Sequence, residues 1–194
     1  MKTDKNIILV SASPRRRQIL HDAGFRFEVI PSLADESYDP ELPVERVPEL
    51  LARRKVETFA NKDPEKIIIG ADTVVIIEGR ILNKPENRLE AIEMLSQLSN
   101  KTHRVVTGVC IDAGQAMTTF SDTAFVHFGS LSEKEIEYYV DQYAPFDKAG
   151  AYGVQDFIGM IGIHRLEGSF YTVMGLPVHL VYACLKPYIH LKES

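Results

Sequence analysis

An aspartate stands in the middle of the most apolar stretch of the chain, Ile67-Ile68-Ile69-Gly70-Ala71-Asp72-Thr73-Val74-Val75-Ile76-Ile77. Burying an ionised carboxylate costs several kcal/mol unless cations, a metal or hydrogen-bond donors compensate, so whatever surrounds Asp72 marks a site. Gly70 alternates onto the same strand face and, lacking a side chain, is expected to leave room for a ligand beside the carboxylate. The second grouping is Ser11-Ala12-Ser13-Pro14-Arg15-Arg16-Arg17, at a strand-to-helix junction. Helix N-termini carry unpaired N–H groups and partial positive charge, which attract phosphate. Arginines in a first turn oppose that dipole by about 0.3–1 kcal/mol each, so clustering them there makes sense where an anion arrives. Successive helix positions diverge by about 100°, so the three cannot all face one ligand.

Lysines and carboxylates supply the remaining candidates. Leu51, Lys55 and Phe59 recur at four-residue steps, which puts Lys55 on an otherwise apolar helical stripe. Lys84, in Leu82-Asn83-Lys84-Pro85, precedes a helix start, where an ammonium can meet a phosphate. The loop pair Asp35-Glu36 offers metal carboxylates, since Mg²⁺ takes one or two protein carboxylates plus substrate oxygens. The histidines show no HExxH spacing, and His103, His127, His164 and His179 fall in core-like segments that suit structural roles. Each grouping also has a plainer counterpart: solvated arginines and lysines, or an aspartate that caps backbone or pairs with an internal arginine. The absence of GxxxxGK[ST] and GxSxG excludes a P-loop nucleotidase and a serine hydrolase of the elbow type.

Taken together, SASPRRRQIL, LLARRKVE, IIGADTVV, LNKP, THRVVTGV, FDKAGAYGVQ and GLPV resemble the Maf family of nucleotide pyrophosphatases, in order from Ile8 to Val178. The resemblance implies a fold similar to inosine triphosphate pyrophosphatases and hydrolysis of a nucleoside triphosphate to monophosphate and pyrophosphate. It also implies a divalent cation, Mg²⁺ or Mn²⁺, with Glu36 and Asp72 as its carboxylates. Position by position, Asp72 matches the family's proton acceptor. Ser11, Arg15 and Arg16 match its phosphate-binding turn, and Glu36, Lys55 and Lys84 match further cleft residues. Thr73 and Gln155, with Arg15, resemble the selectivity set of the branch that hydrolyses dTTP and UTP rather than 7-methyl-GTP. A glutamine amide presents one donor and one acceptor side, which complements the N3–H and O4 edge of uracil or thymine. Two departures stand out: Asp156 follows Gln155 where the family often has glycine, and Arg17 adds a third arginine to the turn. A homodimer is implied by the resemblance alone. The family's association with septum formation leaves a second class open, a nucleotide- or nucleic-acid-binding regulator of cell division that does not hydrolyse its ligand.

The elements that must position these residues follow from composition and pattern. With 194 residues, 45% hydrophobic and 25% charged, the chain suits one α/β domain whose mixed twisted sheet forms two lobes around a central cleft. A net charge of -5 disfavours a protein that wraps duplex nucleic acid, so no stable nucleic-acid complex is expected. Two cysteines without a CxxC pair, Cys110 and Cys184, read as reduced, buried, cytosolic thiols. No window reaches the roughly 18–20 apolar residues that span a bilayer, and the N-terminal run reads as a strand, so a soluble cytoplasmic protein is expected. Strands are expected at residues 7–10, 25–30, 67–77, 80–82 and 159–166. A hairpin of strands 103–111 and 117–128 is expected to turn at Ala113-Gly114-Gln115. Helices are expected at 15–23, 86–98 and 177–185, from Pro48 to about Asn61, and from a Ser132/Glu135 capping box to Gln142. Residues 33–43 and 147–155 read as loops, and 176–191 as core or dimer contact.

Overall fold

The computed structural model describes residues 2–59, 63–114 and 117–191. In chain order the strands and helices are β1 (Lys2–Thr3), β2 (Asn6–Val10), α1 (Pro14–Asp22), β3 (Phe27–Ile30), α2 (Val47–Glu57), β4 (Lys66–Ile77), β5 (Arg80–Leu82) and α3 (Arg88–Leu98). There follow β6 (Thr102–Asp112), β7 (Met117–Phe128), α4 (Glu133–Tyr143), α5 (Phe157–Gly162), β8 (Ile163–Glu167), α6 (Phe170–Met174), α7 (Val178–Leu185) and β9 (Ile189–His190). The main sheet has seven strands in the order β3-β2-β4-β6-β7-β8, with β5 also paired to β4. It is mixed: β2 runs parallel to β3 and β4, whereas β5 opposes β4 and β8 opposes β7. The expected α/β class with a mixed sheet is therefore what the chain forms.

Two compact units emerge, one of Met1–Asp72, Thr107–Asp122 and Gly175–Ser194, the other of Thr73–Val106 and Thr123–Met174. In the first, the unbroken apolar runs of β2 and the start of β4 are buried, as parallel strands covered on both faces require. Ile8, Val10, Ile68 and Cys110 of the sheet pack against Ala52 and Val56 of α2. In the second, α3 and α4 supply Leu95, Leu98, Ile136 and Tyr139 to a core that also holds Val75, Val105, Val126 and Phe128. Asn87 caps α3 by accepting the Glu90 N–H at 3.0 Å, and the expected capping box of Ser132 and Glu135 starts α4.

Several boundaries differ from the expectations. The helix from Pro48 stops at Glu57, because the Thr58 hydroxyl donates to the Lys55 carbonyl at 3.0 Å and the Thr58 N–H to Arg54, closing the last turn. Asn61, the expected end, lies outside the described residues, as does Gln115 of the expected hairpin turn. The expected strand over 159–166 is helix α5 as far as Gly162 and strand only from Ile163. A short apolar run does not distinguish the two by periodicity. At the changeover Gly162 packs against the Phe128 ring, which would lie 2.8 Å from any added side chain. The small β1–β9 pair and α6 have too few residues to carry a pattern.

Candidate active site

The arginine turn is built as a helix N-terminus. Ser13 caps α1 by accepting the Arg16 N–H at 3.4 Å, Pro14 occupies the first turn, and the buried Ser11 hydroxyl accepts the Ser13 N–H at 3.1 Å. Arg16 turns inward, its Nη1 donating to Ser11 Oγ at 3.4 Å and its Nε to the Gly175 carbonyl at 2.8 Å. Gly175 adopts φ 109°, a backbone that a side chain resists, which explains the glycine of the GLPV motif. Arg15 stays half-buried and Arg17 is exposed, the divergence that helical spacing demands. Burial pulls the Arg16 pKa below its usual value. The negative charge of Asp72 opposes that shift, Arg15 reinforces it and Glu36 opposes it, so all four charges share one electrostatic neighbourhood.

Asp72, near the middle of β4, meets Lys55. The Lys55 ammonium lies 2.5 Å from Asp72 Oδ1 and 2.9 Å from Glu36 Oε1, and the side chains are 8%, 14% and 54% exposed respectively. The apolar stripe of α2 therefore does carry Lys55 inward, and the largely but not fully buried carboxylate of Asp72 has the cation it required. Two glycines bring the helix close enough. A side chain on Gly70 would lie 2.7 Å from the Ala52 carbonyl, and one on Gly108 of β6 would lie 2.3 Å from the Pro48 backbone. The expected room for a ligand at Gly70 is thus taken by α2, a correction that turns the glycine from a binding gap into a packing contact.

Glu36 is positioned from the same helix. Arg54 Nη1 donates to the carbonyls of Ser37 and, at 3.5 Å, of Asp35, bracketing Glu36 on both sides. Asp35 spends its carboxylate on its own loop, accepting the Ser37 hydroxyl at 2.5 Å and the Ser37 N–H at 2.9 Å, and these bonds lower its pKa. Arg15, Arg16 and Lys55 set three cations against the carboxylates of Glu36 and Asp72, a local excess that suits a polyanion. Among the described residues no three His, Cys, Asp or Glu side chains group to hold a metal. The two carboxylates that converge on the Lys55 position do fit a hard cation completing its shell with ligand oxygens.

Thr73, Lys84 and Gln155 belong to the second unit. Lys84 is exposed ahead of α3, on a segment tied down by the Gly150 N–H, which donates to the Asn83 carbonyl at 3.0 Å. Thr73 is half-buried in β4. Gln155 presents a buried Oε1 that has no hydrogen-bond partner among the described residues. An orphaned acceptor costs free energy unless a ligand or water donates to it. Of the histidines expected in the core only His103 is buried; His164 and His179 are exposed and His127 is intermediate. Sequence reasoning missed Gly108, Arg54 and Gly175, which position rather than bind. It also missed Tyr139 and Lys148, whose partners lie within the second unit. Lys148 lies inside the FDKAGAYGVQ motif and keeps only 13% of its side chain exposed, the one signal that marked it.

The sequence model of the family described as Maf-like protein matches residues 6–188. A protein from Porphyromonas gingivalis named dTTP/UTP pyrophosphatase is 50% identical over 187 residues, covering 94% of each chain. A protein of the same name from Bacteroides thetaiotaomicron is 45% identical over 183 residues, 93% of this chain and 94% of its own. Another so named, from Christiangramia forsetii, is 42% identical over 181 residues, 93% of this chain and 92% of its own.

Proposed function

This chain belongs to the Maf family, and we propose that it is a nucleoside triphosphate pyrophosphatase that hydrolyses dTTP and UTP to the monophosphate and pyrophosphate. The observation that carries the proposal is the convergence of Glu36 and Asp72 on Lys55 in the unit that also holds the Ser11–Arg16 turn. Water attacks the α-phosphorus in line with the departing pyrophosphate, forming one P–O bond as the α–β anhydride breaks. Asp72 orients that water and accepts its proton. Arg15, Arg16 and Lys55 neutralise charge that builds on the leaving pyrophosphate, and the N–H groups at the start of α1 add to them. Held by Glu36 and Asp72, a divalent cation, Mg²⁺ or Mn²⁺, would supply Lewis-acid neutralisation of phosphate oxygens.

The roles of Lys84 as a phosphate ligand and of Thr73, Gln155 and Arg15 in base selection rest on the family resemblance. Gln155 has independent support, because its open buried acceptor suits the N3–H of uracil or thymine. A cytoplasmic location, a homodimeric state and a housecleaning role in the nucleotide pool belong to the same proposal. No helix among the described residues is long and apolar enough to cross a membrane.

The test is pyrophosphate release from the purified protein across a panel of nucleotides, with and without Mg²⁺ or Mn²⁺. Asp72→Asn is expected to keep the fold and lose release from dTTP and UTP by at least about a hundredfold, the scale of a lost general base. Undiminished turnover by that variant contradicts the assignment of Asp72.

A further inference from the structure

We propose that Tyr139 and Asp156 form a clamp that positions Gln155, and that this clamp sets the discrimination of uracil and thymine from cytosine. The proposal rests on the role of Gln155 in base selection given above. Tyr139 comes from the buried face of α4, with no surface exposed to solvent. Its hydroxyl donates to Asp156 Oδ2 at 2.8 Å and accepts the Gly153 N–H at 3.2 Å. Those two contacts fall on either side of Gln155. The Asp156 N–H closes the same four-residue turn on the Gly153 carbonyl at 3.0 Å. A single phenol from another element therefore holds both ends of the turn that carries the amide.

The position of Asp156 in the fold shows that its carboxylate is committed to this clamp. It stands at the N-cap of α5, yet makes no capping bond to that helix. Its carboxylate instead covers Gly153, where an added side chain would lie 2.5 Å from Oδ2, and Lys148 Nζ approaches the same oxygen at 3.7 Å. Tyr139 is held above its usual phenol pKa by burial and by the neighbouring Asp156 charge, so it stays a donor throughout the working range. Gln155 Oε1 is meanwhile buried without a partner among the described residues.

That geometry has a chemical consequence for the base. Uracil and thymine present a donor at N3 and an acceptor at O4, whereas cytosine presents an acceptor at N3 and a donor at N4. An amide held in one orientation serves the first pattern and sets acceptor against acceptor for the second. An amide free to turn over serves both. Asp156, where the family often has glycine, thus makes Tyr139 and Asp156 positioning residues for selectivity.

The experiment compares kcat/KM for UTP and CTP in the full-length protein and in Tyr139→Phe, Asp156→Ala and Asp156→Asn. Tyr139→Phe and Asp156→Ala are expected to narrow the UTP preference about tenfold, the worth of one well-placed hydrogen bond, while Asp156→Asn, which still accepts from Tyr139, stays near wild type. An unchanged ratio in Tyr139→Phe, or equal losses on both substrates, overturns the clamp. The side-chain amide resonances of Gln155, assigned by their disappearance in Gln155→Leu, give a second readout in the protein without nucleotide. They are expected to move toward free-amide positions in Tyr139→Phe, and unmoved resonances overturn the proposal. A wild-type protein that hydrolyses no nucleotide would sink the activity instead, and the amide resonances would still decide the clamp.

Discussion

Acid should destabilise the fold in part through the buried imidazole of His103. His103 is 2% exposed, lies at 2.7 Å from the Tyr152 hydroxyl through Nε2, and stacks on Phe128 with ring centroids 5.6 Å apart. Its Nδ1 has no partner among the described residues, so a second ring proton would be buried without an acceptor. Desolvation, with a smaller contribution from the charge of His127, pulls the His103 pKa down to about 3. The unfolded chain binds the proton at an ordinary pKa of about 6.5, so below that value the unfolded state carries the extra proton and is favoured. Stability from the neutral ring is complete above about pH 6.5 and is lost as pH falls toward 3, by about 1.4 kcal/mol per unit. At pH 4.5 the loss is roughly 3 kcal/mol, a large share of the stability of an ordinary domain. His103→Gln keeps a donor for Tyr152 and removes the titrating group. Urea unfolding of both proteins at pH 7.5 and 4.5 should show wild type losing roughly 3 kcal/mol more than the variant over that interval. Parallel losses in the two proteins would refute the reasoning, whatever the variant costs at neutral pH.

Two further predictions concern how α2 delivers its lysine. Lys55→Met leaves Glu36 and Asp72 without their shared ammonium and should cost about 1–3 kcal/mol, below the figure for a fully buried pair because Glu36 remains half in water. The same variant should bind Mn²⁺ without nucleotide at least about tenfold more tightly, measured by electron paramagnetic resonance, because the ammonium that touches both carboxylates no longer competes for them. Unchanged or weaker binding contradicts a shared position for ammonium and metal. Gly108→Ala would place a methyl 2.3 Å from backbone atoms of Pro48, which have no rotamer by which to yield. Overpacking of that kind costs about 1–3 kcal/mol and should reduce pyrophosphate release as well, since the displaced helix carries Lys55. Gly129→Ala, whose added methyl would meet nothing closer than 3.6 Å, is the control expected to melt with the wild type.

Much of the fold was legible because it is written in local chemistry. The unbroken apolar runs of β2 and β4, the Ser13 and Ser132 caps and the stripe through Lys55 each depend on neighbours a few residues apart. The errors share a cause, which is that the deciding atom is distant in sequence. The periodicity of residues 157–162 does not favour helix over strand, and the Phe128 ring that requires glycine at position 162 is remote in sequence. His164 and His179 sit in apolar surroundings in the sequence, but which face of an element is covered depends on what packs there. Arg54 and Gly175 position Glu36 and Arg16 through backbone carbonyls, and a carbonyl leaves no mark on residue type.

Asp72 shows how far a burial argument reaches. An aspartate among isoleucines demanded a positive partner, and that demand followed from solvation alone. Whether the partner was a metal, an arginine or a lysine did not follow, and the glycine beside it suggested space for a ligand. The structure answers with the chain's own cation: Gly70 and Gly108 admit α2, and α2 carries Lys55 to 2.5 Å from the carboxylate. A site balanced in this way can fold before any metal or nucleotide arrives. A divalent cation held there as proposed would have to displace an ammonium that already touches both Glu36 and Asp72. A triphosphate would ease that exchange by offering its oxygens to Lys55, so Mn²⁺ affinity measured with and without nucleotide is expected to show positive cooperativity, and equal affinities would contradict it.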